Sequence, residues 1–282
     1  MVSLGIDIGG TSVKVACMED GAVRWTAKSQ AYARPATDQI VHAIQETIAG
    51  RDARSDAIGL CCPGLLDRGR RMITLSVNVP GLVDLPLDQL VERALGKGQP
   101  PAAILSDANA VGYDIYRERK LSGRLLCLAL GTGVGACVID EGGTFLHVSG
   151  ESPGHFGQLD VSLDDHAPIG PDGGAGSLEA YIGAAALAAQ DGEAGLERLT
   201  ANEPPVRALV RAIRVAHAIY RPQHVCLTGG VGIRLARLAG EIKLAVEKDL
   251  TRVARPGWTL TTGEDDYHAA RGVARFASAL RA

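Results

Sequence analysis

Four short stretches of this chain combine residue types that could do chemistry on a phosphate or a hydroxyl. The first is Asp7-Ile8-Gly9-Gly10-Thr11. Consecutive glycines in a turn leave backbone N–H groups uncovered, and an anionic oxygen is their natural acceptor. Asp7, just before the turn, is of the type that holds Mg²⁺ through water, and Lys14 adds positive charge. An ordinary Gly-Gly hairpin turn is the plain alternative. The second stretch, Gly131-Thr132-Gly133-Val134-Gly135, imitates a dinucleotide fingerprint, with Ala136 as its last member. That fingerprint must open a helix, whereas the residues after this one, Ala136–Asp140, have a strand pattern. A glycine hairpin against phosphate fits better. Thr228-Gly229-Gly230-Val231-Gly232 lies between a strand and a helix, where Gly229 and Gly230 allow close approach of a flat base or ribose; a routine βα turn is its alternative. Finally, Ser106-Asp107-Ala108-Asn109 places Asp107 where a strand ends and a helix begins. A helix cap would account for it alone. Beside phosphate loops, a carboxylate able to accept a hydroxyl proton accounts for it better.

These residues need elements to hold them. Alternation predicts strands over 2–8, 12–18 and 22–29, with turns at Gly9-Gly10 and at the acidic Glu19-Asp20-Gly21. Helical spacing over 38–48 is followed by a strand over 56–62 that ends at Pro63-Gly64. Residues 64–101 have the composition of loops around a short helix at 87–95. A strand at 103–105 and a helix at 107–119 complete the first half. The second opens with strands over 125–130 and 136–139. An ordered loop rich in Gly, Asp, Ser and Pro spans 149–176, and helices are expected over 178–189 and 204–218. A strand over 225–228 precedes helices over 233–248 and 267–280. Hairpins with glycine turns and then strand–helix alternation therefore occur twice, the pattern of mixed sheets with helices packed on them.

Composition limits the possibilities. With 282 residues and 46% hydrophobic content, two lobes with their own cores are affordable in length and apolar mass. Lysine and arginine total 29 against 32 acids, a net charge of −3, which argues against a nucleic-acid surface. Arg117–Lys120 reads as a helix end, and Arg68–Arg71 as an exposed loop. No apolar run approaches a membrane span, and the first ten residues enter a strand without the charge and apolar pattern of a leader. The six cysteines, at 17, 61, 62, 127, 137 and 226, sit in apolar runs without a CxxC pair, as buried thiols of a reducing compartment do. A cytoplasmic protein is the expectation.

Taken together, the four stretches resemble the ROK family (repressor, open reading frame, kinase), sugar kinases of the actin/hexokinase superfamily, in the right order over essentially the whole chain. The resemblance implies an α/β protein of two RNase H-like lobes with an interdomain cleft. The first lobe would be residues 1–106 plus roughly 265–282, the second 107–264. It implies an ATP-dependent kinase that phosphorylates the primary hydroxyl of a hexose or hexose derivative, as a glucokinase does. ATP and Mg²⁺ are the implied cofactors, a sugar the partner, and a homodimer the assembly. Asp7, Gly9, Gly10, Thr11 and Lys14 match the first phosphate motif; Gly131, Thr132, Gly133 and Gly135 the second; Gly229 and Gly230 the adenosine motif. Asp107 matches the catalytic aspartate. Gly64, Asn78 and Asn109 fall where the family lines the sugar pocket.

The departures are as informative. The family pattern Gly-Glu-x-Gly-His, whose Glu holds the sugar and whose His touches sugar and a zinc site, reads here Gly154-His155-Phe156-Gly157-Gln158. The three cysteines of the family's zinc motif are replaced by Gly170, Asp172 and Ser177. Without thiolate or imidazole there, no zinc is expected. Glu179 survives as a sugar contact near the start of a helix that Ser177 could cap. His155 and Gln158 stand where the family points at the sugar; His147 and His166 have no such alignment. Two other readings stand beside the kinase. A sugar-responsive regulator requires a helix-turn-helix, for which a strand starting at residue 2 leaves no room. A sugar- or nucleotide-binding protein without turnover is suggested by the altered loop and opposed by Asp7, Asp107 and both glycine loops.

Overall fold

The apolar alternation at the start of the chain builds β1 (Val2–Ile8), β2 (Val13–Glu19) and β3 (Ala22–Lys28). The structure, a computed structural model, describes residues 1–96, 98–148, 153–170, 173–191, 193–254 and 257–281. Helix α1 (Thr37–Ile48) buries Ile40, Val41 and Ile44, and β4 (Ala57–Cys62) is buried throughout. Within the stretch expected to be loop, β5 (Leu65–Asp67) and β6 (Met72–Leu75) form a small hairpin. Their shortness and the arginines between them hide the alternation. Arg71 is not a free loop cation: its guanidinium holds Asp88 and the Pro101 carbonyl. Then come α2 (Leu87–Leu95), β7 (Ala103–Ser106) and α3 (Asp107–Glu118). Strands β8 (Leu125–Leu130) and β9 (Val134–Ile139) follow. The helix expected over 178–189 is broken at Gly183 into α4 (Leu178–Ile182) and α5 (Ala184–Asp191), with α6 (Glu193–Arg198) after them. Next are α7 (Pro204–Tyr220), β10 (His224–Thr228) and α8 (Gly229–Arg234). The expected helix over 233–248 is instead α8, a 3-10 turn and α9 (Ala239–Asp249). A strand without a sequence signal, β11 (Thr259–Thr262), precedes α10 (His268–Ala279).

Two compact units result, Met1–Glu118 with Tyr267–Ala282 and Arg119–Asp266. Helix α3 thus closes the first unit instead of opening the second, where the expected boundary at 106/107 had put it. The reason is its packing on α10: Tyr113 meets Phe276 edge-on at 5.0 Å. Gly272 lies so close to the Ala110 carbonyl that a Cβ would collide with it. Buried Asp114 on α3 takes hydrogen bonds from Arg271 and Arg275 of α10 at 3.0 and 2.8 Å and lies 2.8 Å from His268 Nδ1. In this unit five strands run in the order β3-β2-β1-β4-β7, with β2 antiparallel to both β1 and β3, and β1, β4 and β7 parallel. Leu4, Ile6, Ile8, Ile58 and Leu60 on its strands and Leu87 and Leu90 on α2 build the core.

The second unit has a four-stranded sheet in the order β11-β10-β8-β9, with β9 antiparallel and the others parallel. After β9 the chain turns at Asp140, whose Oδ1 accepts the N–H groups of Gly142 and Thr144, and Phe145 makes a single bridge back to Ile139. That bridge stands where the first sheet has its third strand. Helices α4, α7 and α9 cover the sheet through Leu178, Leu209, Ile213 and Ile242. This repeated α/β plan is the actin/hexokinase-like fold. Among the described residues no helix is long and apolar enough to cross a membrane.

Candidate active site

Parallel strands deliver their carboxyl ends to one edge of a sheet, the edge at which open α/β sheets bind ligands. In the first unit Asp7 pairs with Cys61 and Cys61 with Leu105, so Asp107 lies just beyond the row that holds Asp7. The turn after β1 is closed by Gly9 N–H donating to the Ser12 carbonyl at 3.0 Å. The N–H groups of Gly10 and Thr11 donate to no described residue. Ser12 Oγ is buried without a partner among the described residues. An unpaired row of donors of this kind suits phosphate oxygens. Gly10 also lies against the side chain of exposed Asn78: a Cβ there would sit 3.2 Å from that of Asn78. Gly64 opens the β5–β6 hairpin at φ +121°, and this hairpin returns the chain towards Asn78.

Asp7 is only 5% exposed. Burial raises its carboxyl pKa to about 6, against the pull of Lys14, whose Nζ lies 3.6 Å away. Asp107 raises it further, and Cys61 donates a long S–H···O contact at 3.7 Å. Lys14 is the register partner of Asp7 on β2, so its charge is directed at this carboxylate. One carboxylate plus phosphate oxygens and water is the donor set Mg²⁺ takes in nucleotide sites, and Asp7 fits it.

The cap of α3 is Ser106, whose Oγ accepts the Asn109 N–H at 3.2 Å. Asp107 is therefore relieved of most of the capping duty. Its Oδ1 takes the Ala108 N–H at 2.8 Å, and Oδ2 takes no hydrogen bond from any other described residue. Asp107 keeps an accessible face, yet lost hydration raises its pKa, with the Ala108 N–H, its own N–H and Lys14 opposing. A carboxylate of raised pKa, with one oxygen fixed and one uncommitted, is suited to accept a proton. Asn109 is buried on α3.

In the second unit, Gly131 N–H donates to the Gly133 carbonyl at 2.9 Å and closes a three-residue turn between β8 and β9. The N–H groups of Thr132 and Gly133 donate to no described residue. Gly135 lies inside β9, opposite Ala129, and not in the loop. Glu179 on α4 accepts the Val134 N–H at 2.8 Å, and it approaches so closely that a Cβ on Gly133 would be 2.6 Å from its Oε2. This link between α4 and the loop was missed by sequence reasoning. Its one signal was the requirement for glycine at 133. Ser177 does cap α4, its Oγ accepting the Ala180 N–H at 3.2 Å.

His155 and Gln158 are exposed and bracket a 3-10 turn, with Gln158 N–H on the His155 carbonyl at 2.9 Å. The segment beyond is tied by its backbone. Val161 N–H donates to Gly176, Gly176 N–H to Pro168, Gly170 N–H to Gly174 and Leu178 N–H to Leu159, all within 2.8–3.0 Å. At the positions that match the family's zinc motif, Gly170 offers no side chain and Ser177 is engaged as a cap; Asp172 lies outside the described residues. Neither of these two is a zinc ligand by chemistry. Gly229 opens α8 at φ +75°, and a Cβ on Gly230 would meet nothing within 4 Å, leaving its face open. Tyr32 was also missed. Its O–H donates to the Gly9 carbonyl at 2.8 Å and its N–H to Thr11 at 2.9 Å, fastening the first loop from a segment without motif.

Residues 3–279 match the ROK family. An N-acetylmannosamine kinase of Escherichia fergusonii is 27% identical over 259 residues, covering 85% of this chain and 86% of that protein. Among solved structures, a ROK family glucokinase from Streptomyces griseus in complex with glucose and AMPPNP superposes with a TM-score of 0.75 at 22% identity, covering 99% of this chain and 100% of the other. A ROK family transcriptional regulator, a homologue of the E. coli MLC protein, does so with a TM-score of 0.77 at 15% identity, covering 99% of this chain and 78% of the other.

Proposed function

The chain belongs to the ROK family, and from that premise we propose that it is an ATP-dependent kinase acting on the primary hydroxyl of a hexose or hexose derivative. Its relatedness to sugar kinases supports the class. The observation that carries the reaction is Asp107: one oxygen fixed by Ala108 N–H, the other uncommitted, on the sheet edge that also bears Asp7. In this reading Asp107 Oδ2 orients the sugar hydroxyl and takes its proton as the oxygen attacks the γ-phosphorus. The hydroxyl oxygen–phosphorus bond forms as the bond to the β–γ bridging oxygen breaks, and ADP leaves with that electron pair. An ordinary aspartate, with a pKa of about 3.9, is a weak base. Burial strengthens Asp107 in the useful direction, and positioning supplies the rest. Gly10, Thr11, Thr132 and Gly133 donate N–H groups to phosphate oxygens, helped by Gly9 and Gly131, which close the two turns. Mg²⁺, held by Asp7, would offset the charge of the β- and γ-phosphates. Gly229 and Gly230 accommodate the adenosine, Gly135 continues the second glycine loop into β9, and Lys14 keeps Asp7 in place. Gly64, Asn78, Asn109, His155, Gln158 and Glu179 are read as the sugar's surroundings. A cytoplasmic homodimer without resident zinc accompanies this reading.

A binding protein without turnover is the second reading, favoured by the regulator that shares the fold. ADP release measured with MgATP and a panel of hexoses decides between them. The kinase reading expects turnover with at least one sugar. It further expects Asp107→Asn to lower kcat by about 10²–10⁴-fold while nucleotide affinity stays within a few-fold. No turnover with any sugar, or an Asp107→Asn enzyme close to wild type, would refute it.

A further inference from the structure

In the second unit a groove of about 710 Å³ runs between α7 and α9, within the size range of small-molecule sites. Its charged lining is lopsided: Arg207, Arg211 and Arg214 on α7 and Lys248 on α9 face a single acid, Asp249. The arginines are four and three residues apart, so their side chains rise from one face of α7 in adjacent turns. Arg214 is occupied by Asp249, its Nη1 at 3.5 Å from the carboxylate and its Nη2 on the Asp249 carbonyl at 3.2 Å. Its Nε, however, is buried with no acceptor among the described residues. Arg211 donates to the Ser162 carbonyl at 2.6 Å and lies within electrostatic reach of exposed Asp160, with which it makes no ion pair. Arg207 and Lys248 make no side-chain hydrogen bond or ion pair with any described residue. Like charges gathered in one recess repel one another, and a protein of net charge −3 has acids to spare elsewhere.

We propose that this groove is a binding site for a small organic phosphate. A phosphate monoester carries close to two negative charges and three acceptor oxygens, and guanidinium groups recognise it with paired charge-assisted hydrogen bonds. Arg207, Arg211 and Lys248 supply donors from both walls. Between and below them the lining is apolar, with Val210, Val215, Leu250 and Ala254. That surface has no use for a bare inorganic anion but covers the carbon skeleton of an ester. The groove shares no lining residue with the glycine loops or with Asp107, so occupancy here is separate from the reaction proposed above.

Isothermal titration calorimetry on the full chain, with glycerol 3-phosphate as probe in about 0.15 M salt, tests the site. Saturable binding is expected, with inorganic phosphate weaker and glycerol inert. The double variant Arg207→Ala/Lys248→Ala should weaken it at least about tenfold, the loss of two charge-assisted bonds. Because neither side chain has a partner among the described residues, its thermal midpoint should not fall and its ATP affinity should match wild type. Four results overturn the proposal: no saturable binding, binding of equal strength in the double variant, inorganic phosphate binding as tightly as the ester, or glycerol competing.

Discussion

Replacing Asp7 by Asn should make the ligand-free protein more stable at neutral pH while damaging its activity. The carboxylate is 5% exposed, and its pKa rises from 3.8 to about 6 because burial strips its hydration, with Lys14 at 3.6 Å only partly compensating. Above pH 6 the group is charged both folded and unfolded, and the folded state bears the full penalty. Below about 3.8 it is protonated in both, and there is none. Between these limits the folded state retains a proton that the unfolded state has lost, so stability falls as pH rises. A gap of roughly two units, at about 1.4 kcal/mol each, gives a penalty on the order of 3 kcal/mol. Asparagine resembles the protonated acid in shape and charge and leaves Lys14 as the protonated acid would. The comparison therefore isolates this term. Urea denaturation of both proteins at pH 8 should show Asp7→Asn more stable by up to about 3 kcal/mol, shrinking towards zero near pH 4. In thermal unfolding of this unit the gain corresponds to several degrees, at about 2–4 °C per kcal/mol. Equal or lower stability of the variant at pH 8, or a difference that does not change with pH, would show that Asp7 is not held at an energetic cost.

Three further outcomes are expected. Asp114→Ala removes the acceptor of two arginines and the partner of His268 on α10, and should cost about 3–5 kcal/mol by stranding buried cations. Burial pushes the Asp114 pKa up, but His268 and Arg271 outweigh it and hold the carboxyl below its usual range; equilibrium denaturation should show the wild-type advantage at neutral pH and its loss as pH falls through that lowered value. Dialysis against a strong chelator should leave the thermal midpoint unchanged, since the 159–178 segment is tied by backbone hydrogen bonds; metal analysis finding stoichiometric zinc, or unfolding by chelator, would contradict this. His155→Glu should move the specificity constant towards glucose relative to other hexoses, because a carboxylate only accepts hydrogen bonds where a neutral imidazole also donates one; an unchanged ranking in steady-state kinetics would remove His155 from sugar recognition.

What could be read ahead of the structure was whatever the chain encodes locally. Strands β1, β2, β4 and β8 announce themselves because nearly all their residues are buried. Gly9-Gly10 and Gly131–Gly133 announce their turns because no other residue type leaves so much backbone bare. Elements that depend on distant partners were not legible. β11, Thr-Leu-Thr-Thr, is a strand because it extends β10 in parallel, and nothing in four residues states that. The division of the chain was misplaced by twelve residues, the length of α3. The partner that claims α3 is α10, with Asp114 and His268 separated by 154 positions. An acid in the middle of an otherwise apolar helix face was the available hint.

The two glycine loops reach similar states by different routes, and the difference determines what each is sensitive to. Each leaves two successive N–H groups unpaired among the described residues, and each has one carboxylate in attendance. In the first, Asp7 comes from the same strand as the loop, and Lys14 comes from the strand that follows it. Strand register sets where both stand, and their other neighbours, Cys61 and Asp107, lie on the same sheet edge, so changes outside this unit's sheet have little leverage on them. In the second, the carboxylate is Glu179, 45 positions from Val134, and it arrives on a helix five residues long. That helix is held by the Ser177 cap, by Leu178 N–H on Leu159, and by Ala184 N–H on the Gly131 carbonyl. The segment that carries His155 and Gln158 therefore also sets where Glu179 meets the second loop. In the proposed kinase, a substitution between 154 and 178 therefore acts on phosphate binding through Glu179 without touching a phosphate. Kinetic effects of such changes should accordingly divide between sugar and nucleotide, whereas changes around Asp7 should fall on the nucleotide side.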